Sequence, residues 1–256
     1  MHTLSADAPA FRYEAELVAV VEGQVSAALF TAPVRGSVEV FTEVPARLGV
    51  PDVSAVRYDW GVVERRVRAG VVPLTSEPAV RAALLLRKRR FTVGDLATAL
   101  RMSKEHVRRA VVADLRQRGW LDDESADGAL RLTAAARPAG VRVVTVEAKL
   151  RDWRGALGQA RRQQQSADQA FIALDARAAH RLRDDLAAIS RQGVGVMSVD
   201  PATNTLRVLQ RPSRPTERRR SIVGRTLIAE RGLELISRGQ RAGEVYPVFG
   251  WTSPRP

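Results

Sequence analysis

The chain has no cysteine, which excludes disulfides and thiolate metal sites. Its only histidines are His2, His106 and His180, far apart in sequence. That argues against a multi-histidine zinc site and against a Ser/His/Asp triad. The first residues, MHTLSADAPAFRYEAE, lack the apolar centre of a secretory signal. No apolar run is long enough to span a bilayer. The expectation is a soluble, cytoplasmic protein with no membrane partner. Lysine is scarce too: of 41 Lys and Arg residues only Lys88, Lys104 and Lys149 are lysines.

What remains is a core and an excess of positive charge. Of 256 residues, 45% are hydrophobic, enough for one large domain or two small ones. The net charge is +13 and the sequence pI about 11.3. Such a balance favours a polyanionic partner, most simply DNA.

The texture of the chain changes twice. Residues 13–29 read as a helix with Leu17, Val20, Val21 and Val25 in an apolar stripe. SVEVFTEV and VPDVSAVRYDW then read as strands, and VVERRVRAGVV as a further strand or hairpin. From about Thr75 the pattern is helical in three pieces. Pro78 marks the start of the first, a Thr92/Asp95 capping box the second and Ser103 the third, which stops at Gly119. WLDDESADGALRLT follows as a hairpin turning near Asp127-Gly128. Three helices and a hairpin are winged helix-turn-helix order. Strand texture returns at Val141, with helices and strands alternating to about residue 211 and one last helix in RTLIAERGLELISR. The organisation expected is an α/β core in two parts, 1–74 and 139–212. A winged helix-turn-helix module, 75–138, is inserted between them, and a basic linker with a C-terminal helix or tail, 213–256, follows.

One strand carries chemistry. In VVTVEAKL, Val143, Thr145, Glu147 and Lys149 share a face, which turns charged at its C-terminal end. Open α/β sheets keep their sites there. A plain salt bridge is the ordinary explanation of Glu147 and Lys149. Asp52, at the start of another apolar strand, could join Glu147 in presenting carboxylates to a hard cation. Gln159 and Gln163 share one face of the helix that follows, and Glu16 lies within the stripe of the first helix.

Taken in order, Pro51-Asp52 and Glu147-Ala148-Lys149 resemble the paired motifs of the PD-(D/E)XK nuclease superfamily. YEAELV is similar to the family's acidic first-helix motif, and Gln159/Gln163 to the glutamine often found after the lysine. The resemblance covers roughly residues 11–72 and 139–211. The chain departs from the family in separating the two motif strands by the helical module. The resemblance implies a restriction-endonuclease-like mixed sheet flanked by helices, and a metal-dependent DNA endonuclease acting in repair, recombination or defence. Asp52, Glu147 and the Ala148 carbonyl would hold Mg²⁺ or Mn²⁺, and Glu16 a second ion. Lys149 would orient the attacking water or neutralise the phosphorane, with Gln163 beside it. Double-strand cleavage would favour a homodimer.

In the module, the DNA-reading residues would be Ser103, Lys104, Glu105, Arg108 and Arg109 on the third helix and Arg131 on the wing, with Gln159 on the core. LRKRRF reads as a phosphate-contacting patch. Two other readings stand beside the nuclease: a DNA-binding regulator that no longer cuts, and a protein-interaction scaffold.

Overall fold

The computed structural model describes residues 10–30, 37–122, 128–213 and 221–243. Six strands form one mixed sheet in sequential order: β1 (Val38–Thr42), β2 (Val53–Tyr58), β3 (Gly140–Lys149), β4 (Gln169–Asp175), β5 (Val194–Asp200) and β6 (Thr205–Gln210). The central pairs β3–β4 and β4–β5 are parallel; β1–β2, β2–β3 and β5–β6 are antiparallel. The register pairs Val53 with Val146 and Val56 with Val143. The two motif strands are therefore neighbours, although more than eighty residues separate them in sequence. A long insertion between paired strands is tolerated because closure entropy grows only slowly with loop length.

Helices cover both faces, as the unbroken burial of β2 and of β4 beyond its first residue requires. On one face lies α1 (Glu14–Leu29), whose Leu17, Val21, Val25 and Leu29 pack on Val53, Ala55, Val144, Val146 and Phe171. On the other, α7 (Trp153–Gln163), α8 (Ala176–His180) and α9 (Leu186–Arg191) cover Ala170, Ile172, Leu174, Val194 and Val196. The fold is α/β, a six-stranded mixed sheet flanked by helices. Among the described residues no helix is long and apolar enough to cross a membrane.

The segment VVERRVRAGVV forms no strand. Residues Trp60–Arg68 are a helix, α2. Asp59 caps it, its side chain accepting from the Val62 amide, and buried Val62 and Arg66 stand one turn apart. The valines gave the segment a β look, and the cap decided against it. Residues 176–191 form no single helix: α8 and α9 are separated by a 3₁₀ turn at Arg183–Asp185.

Between β2 and β3 lie α3 (Glu77–Leu86), α4 (Val93–Leu100) and a third helix. The last runs through α5 (Lys104–His106), a π-helical stretch Val107–Val112 and α6 (Ala113–Gln117). Ser76, Thr92 and Ser103 cap the three, and Pro78 stands in the first turn of α3. Val80, Leu96, Leu100, Val107, Val111, Leu115 and the fully buried Trp120 make their common core. Antiparallel bridges join Phe91 to Leu130 and Leu121 to Leu132. The expected hairpin turn falls largely outside the described residues; Gly128, at its end, has φ +68°.

The last helix, α10 (Ile222–Ser237), is no loose tail. Leu227 enters the core of the inserted helices, while Ile228, Ala229 and Leu233 pack on the sheet with Val56, Tyr58 and Val143. Glu230, wholly buried, forms a bidentate pair with buried Arg66 of α2 at 2.7 and 2.8 Å and accepts from the Leu74 amide at 3.0 Å. The Arg66 guanidinium lies 4.9 Å from the Trp120 ring centroid. Gly232 lets α10 lie close against the sheet: a Cβ there would stand 2.5 Å from the Tyr58 hydroxyl and 2.8 Å from the Phe41 ring.

Candidate active site

The end of β3 projects Glu147 and Lys149 where the parallel strands finish, and β2 begins beside it. One step beyond the Val53–Val146 pair, Asp52 stands opposite Glu147. The Asp52 carboxylate accepts the Ala148 amide at 2.7 Å, which fixes it against the motif strand. Glu147 is 1% exposed and accepts from the Gln163 side-chain amide of α7 at 2.7 Å. That bond uses Gln163 Nε2 only; the buried Gln163 Oε1 has no partner among the described residues. The second oxygen of each carboxylate has no hydrogen bond from the described residues.

Two carboxyls this close, in a site this dry, resist ionisation together. Glu147 is pushed up to about 7, by burial first and then by the charge of Asp52, against the pull of Gln163 and Lys149. Asp52 is also raised. Burial is the main cause, with Glu14 and Glu43 adding to it, and the Ala148 amide and Lys149 working the other way. The Lys149 ammonium feels burial most, which opposes its charge. The hydrogen bond it donates to Glu14 and the charges of Asp52, Glu14 and Glu147 together outweigh burial and hold it above its ordinary value.

The partner of Lys149 on α1 is Glu14, not Glu16. Lys149 Nζ lies 2.8 Å from Glu14 Oε2. Glu16 turns back on its own helix end and accepts from the amides of Arg12 at 2.8 Å and Tyr13 at 3.3 Å. It is the acidic half of a capping box, hidden in the sequence because a tyrosine occupies the cap position. Glu14, at the first helical position, is the acid that the helix end aims at the strand. Glu43 is a second neighbour that sequence spacing did not single out. Its amide donates to the Asp52 carbonyl at 3.2 Å, and it holds φ +54°.

A hard cation would find here two adjacent carboxylates, each with an uncommitted oxygen, whose mutual repulsion it would relieve. That donor set fits Mg²⁺ or Mn²⁺ held by Asp52 and Glu147. Among the described residues no group of three or more acidic or histidine side chains is arranged to hold a metal. Gln159, one turn before Gln163, is half-buried, and its side chain makes no hydrogen bond to the described residues.

The residues expected to read DNA lie elsewhere. Ser103 caps the third helix of the insertion, accepting from the His106 amide at 3.2 Å. Lys104, Glu105, Arg108 and Arg109 are exposed on it. Glu105 pairs with Arg108 at 3.2 Å and with Arg109, so both arginines share one acid. Arg131 is exposed on the segment that bridges to Phe91 and Leu121. Comparison of the chain with protein-family models, curated proteins and solved structures gave no match.

Proposed function

We propose that the chain is a Mg²⁺-dependent DNA endonuclease of the PD-(D/E)XK type. On this reading the sheet is a restriction-endonuclease-like core and residues 75–138 are an inserted winged helix-turn-helix module. One observation carries the reading. Asp52 and the Glu147-Ala148-Lys149 strand come together across a long insertion, with the Asp52 carboxylate 2.7 Å from the Ala148 amide.

Asp52 and Glu147 would hold the cation. When bound, it supplies an activated water and stabilises charge on the scissile phosphate. The other roles belong to the chain. Gln163 orients the Glu147 carboxylate by its 2.7 Å bond. Lys149, kept charged by its acidic neighbours, sets an ammonium against the phosphorane charge. Glu14 holds that ammonium in place and restrains its rotamers. An arginine at 149 would present a planar fork in place of a compact charge.

The test is nicking of supercoiled plasmid by wild type and by Lys149→Ala, with Mg²⁺ and with EDTA. Nicking by wild type in Mg²⁺ alone is expected. Equal nicking by both proteins would end the proposal and leave Glu147 and Lys149 with a structural role only.

A further inference from the structure

The inserted helices carry a groove that the third-helix reading leaves out. It lies between the end of α3 and the segment leading back to the sheet, holds about 430 Å³ and is lined by ten residues. Leu86, Arg87 and Arg90 come from the α3 side, and Arg131, Thr133 and Arg137 from the other. None of the ten is acidic. Arg87, Arg131 and Arg137 are exposed, and no ion pair among the described residues engages their guanidinium groups. A basic residue at a helix C-terminus complements the helix dipole, which accounts for Arg87. It does not account for Arg131 and Arg137, which arrive from a separate segment and converge on the same groove. Like charges gathered round one groove repel unless an anion lies between them.

We infer that this groove is a docking site for the phosphodiester backbone of duplex DNA, held by Arg87, Arg131 and Arg137. The inference rests on the nucleic-acid partner of the proposed function but not on cleavage. Guanidinium forks match phosphate oxygens bidentately, and an open groove suits an extended strand better than a single small anion. The third helix is less free to do this, because Glu105 already takes up Arg108 and Arg109.

The experiment measures binding of full-length protein in EDTA to a fluorescent mixed-sequence DNA duplex over a series of salt concentrations. Wild type is compared with the triple variant Arg87→Gln/Arg131→Gln/Arg137→Gln. Each phosphate contact contributes about 0.9 to the slope of log K against log salt, so the variant's slope should fall by about 2.7. All three positions are exposed, and an unchanged melting curve confirms the fold. An unchanged slope overturns the groove while leaving the nuclease standing. No binding by wild type overturns both. Groove-dependent binding without nicking in Mg²⁺ supports the groove and sinks the nuclease. A parallel melt in inorganic phosphate against chloride of equal ionic strength should show no extra stabilisation. Extra stabilisation in wild type that the variant lacks would mark a small-anion site and overturn the backbone reading.

Discussion

Replacing Glu147 with glutamine should remove the largest component of a pH dependence of stability that the metal-free wild type shows. The buried carboxyl is held at about 7, against 4.5 for the exposed group. Between those values the folded chain keeps a proton that the unfolded chain has released. Stability therefore falls as pH rises, by roughly 1.36 kcal/mol per pH unit, and the loss is complete above about pH 7. From 4.5 to about 7 this amounts to about 3 kcal/mol, and raised Asp52 adds in the same direction. Lys149, also raised, loses its contribution only at alkaline pH, outside this window. Glu147→Gln keeps an acceptor for Gln163 and carries no charge, so its profile should lack the Glu147 component. Urea unfolding in EDTA from about pH 5 to about pH 8 measures the difference, since all other titrations are shared. At about pH 8 the variant should be the more stable protein by roughly 3 kcal/mol. Millimolar Mg²⁺ should restore much of the wild-type loss and leave the variant unmoved. Parallel profiles for the two proteins would refute the account of a strained carboxylate pair.

Asp52→Ala and Lys149→Ala should each abolish plasmid nicking and leave duplex affinity in EDTA within about twofold, as a salt-controlled shift assay will show. Arg66→Met should destabilise the chain by about 3–5 kcal/mol in urea melts, because it leaves Glu230 charged and buried alone; Arg66→Met with Glu230→Leu should recover most of that loss. Lys104→Ala/Arg108→Ala/Arg109→Ala should lower the salt slope of DNA binding by less than the groove variant does, since two of its three cations already share Glu105.

Much of the frame was legible because it is local. Pro78 at a helix start, the caps at Thr92 and Ser103 and the two-residue period of VVTVEAKL are written within a few positions of where they act. The convergence of Asp52 with Glu147 could be suspected only from motif order, since nothing near either residue specifies its partner. Two features were hidden for physical reasons. A tyrosine cap concealed that Glu16 serves its own helix, and this put Glu14 out of view. The low hydrophobic contrast of RTLIAERGLELISR concealed α10's role. Glu230 looks like a surface residue until Arg66, far away in sequence, is laid against it.

The strand that carries the carboxylate is also a ruler. The inserted helices join the sheet where β2 ends and β3 begins, and Glu147 lies seven residues along β3 from Gly140. At about 3.3 Å per residue that is roughly 23 Å. A duplex advances about 3.4 Å per base pair, so the same length is roughly seven base pairs. DNA seated on the module and running along the sheet would meet the carboxylates about two-thirds of a helical turn away, where the backbone has rotated to a different side. The bonds at risk would then lie outside the stretch that the module holds. Hydroxyl-radical protection and the cut positions, mapped on one labelled fragment, should be displaced from each other by about that interval.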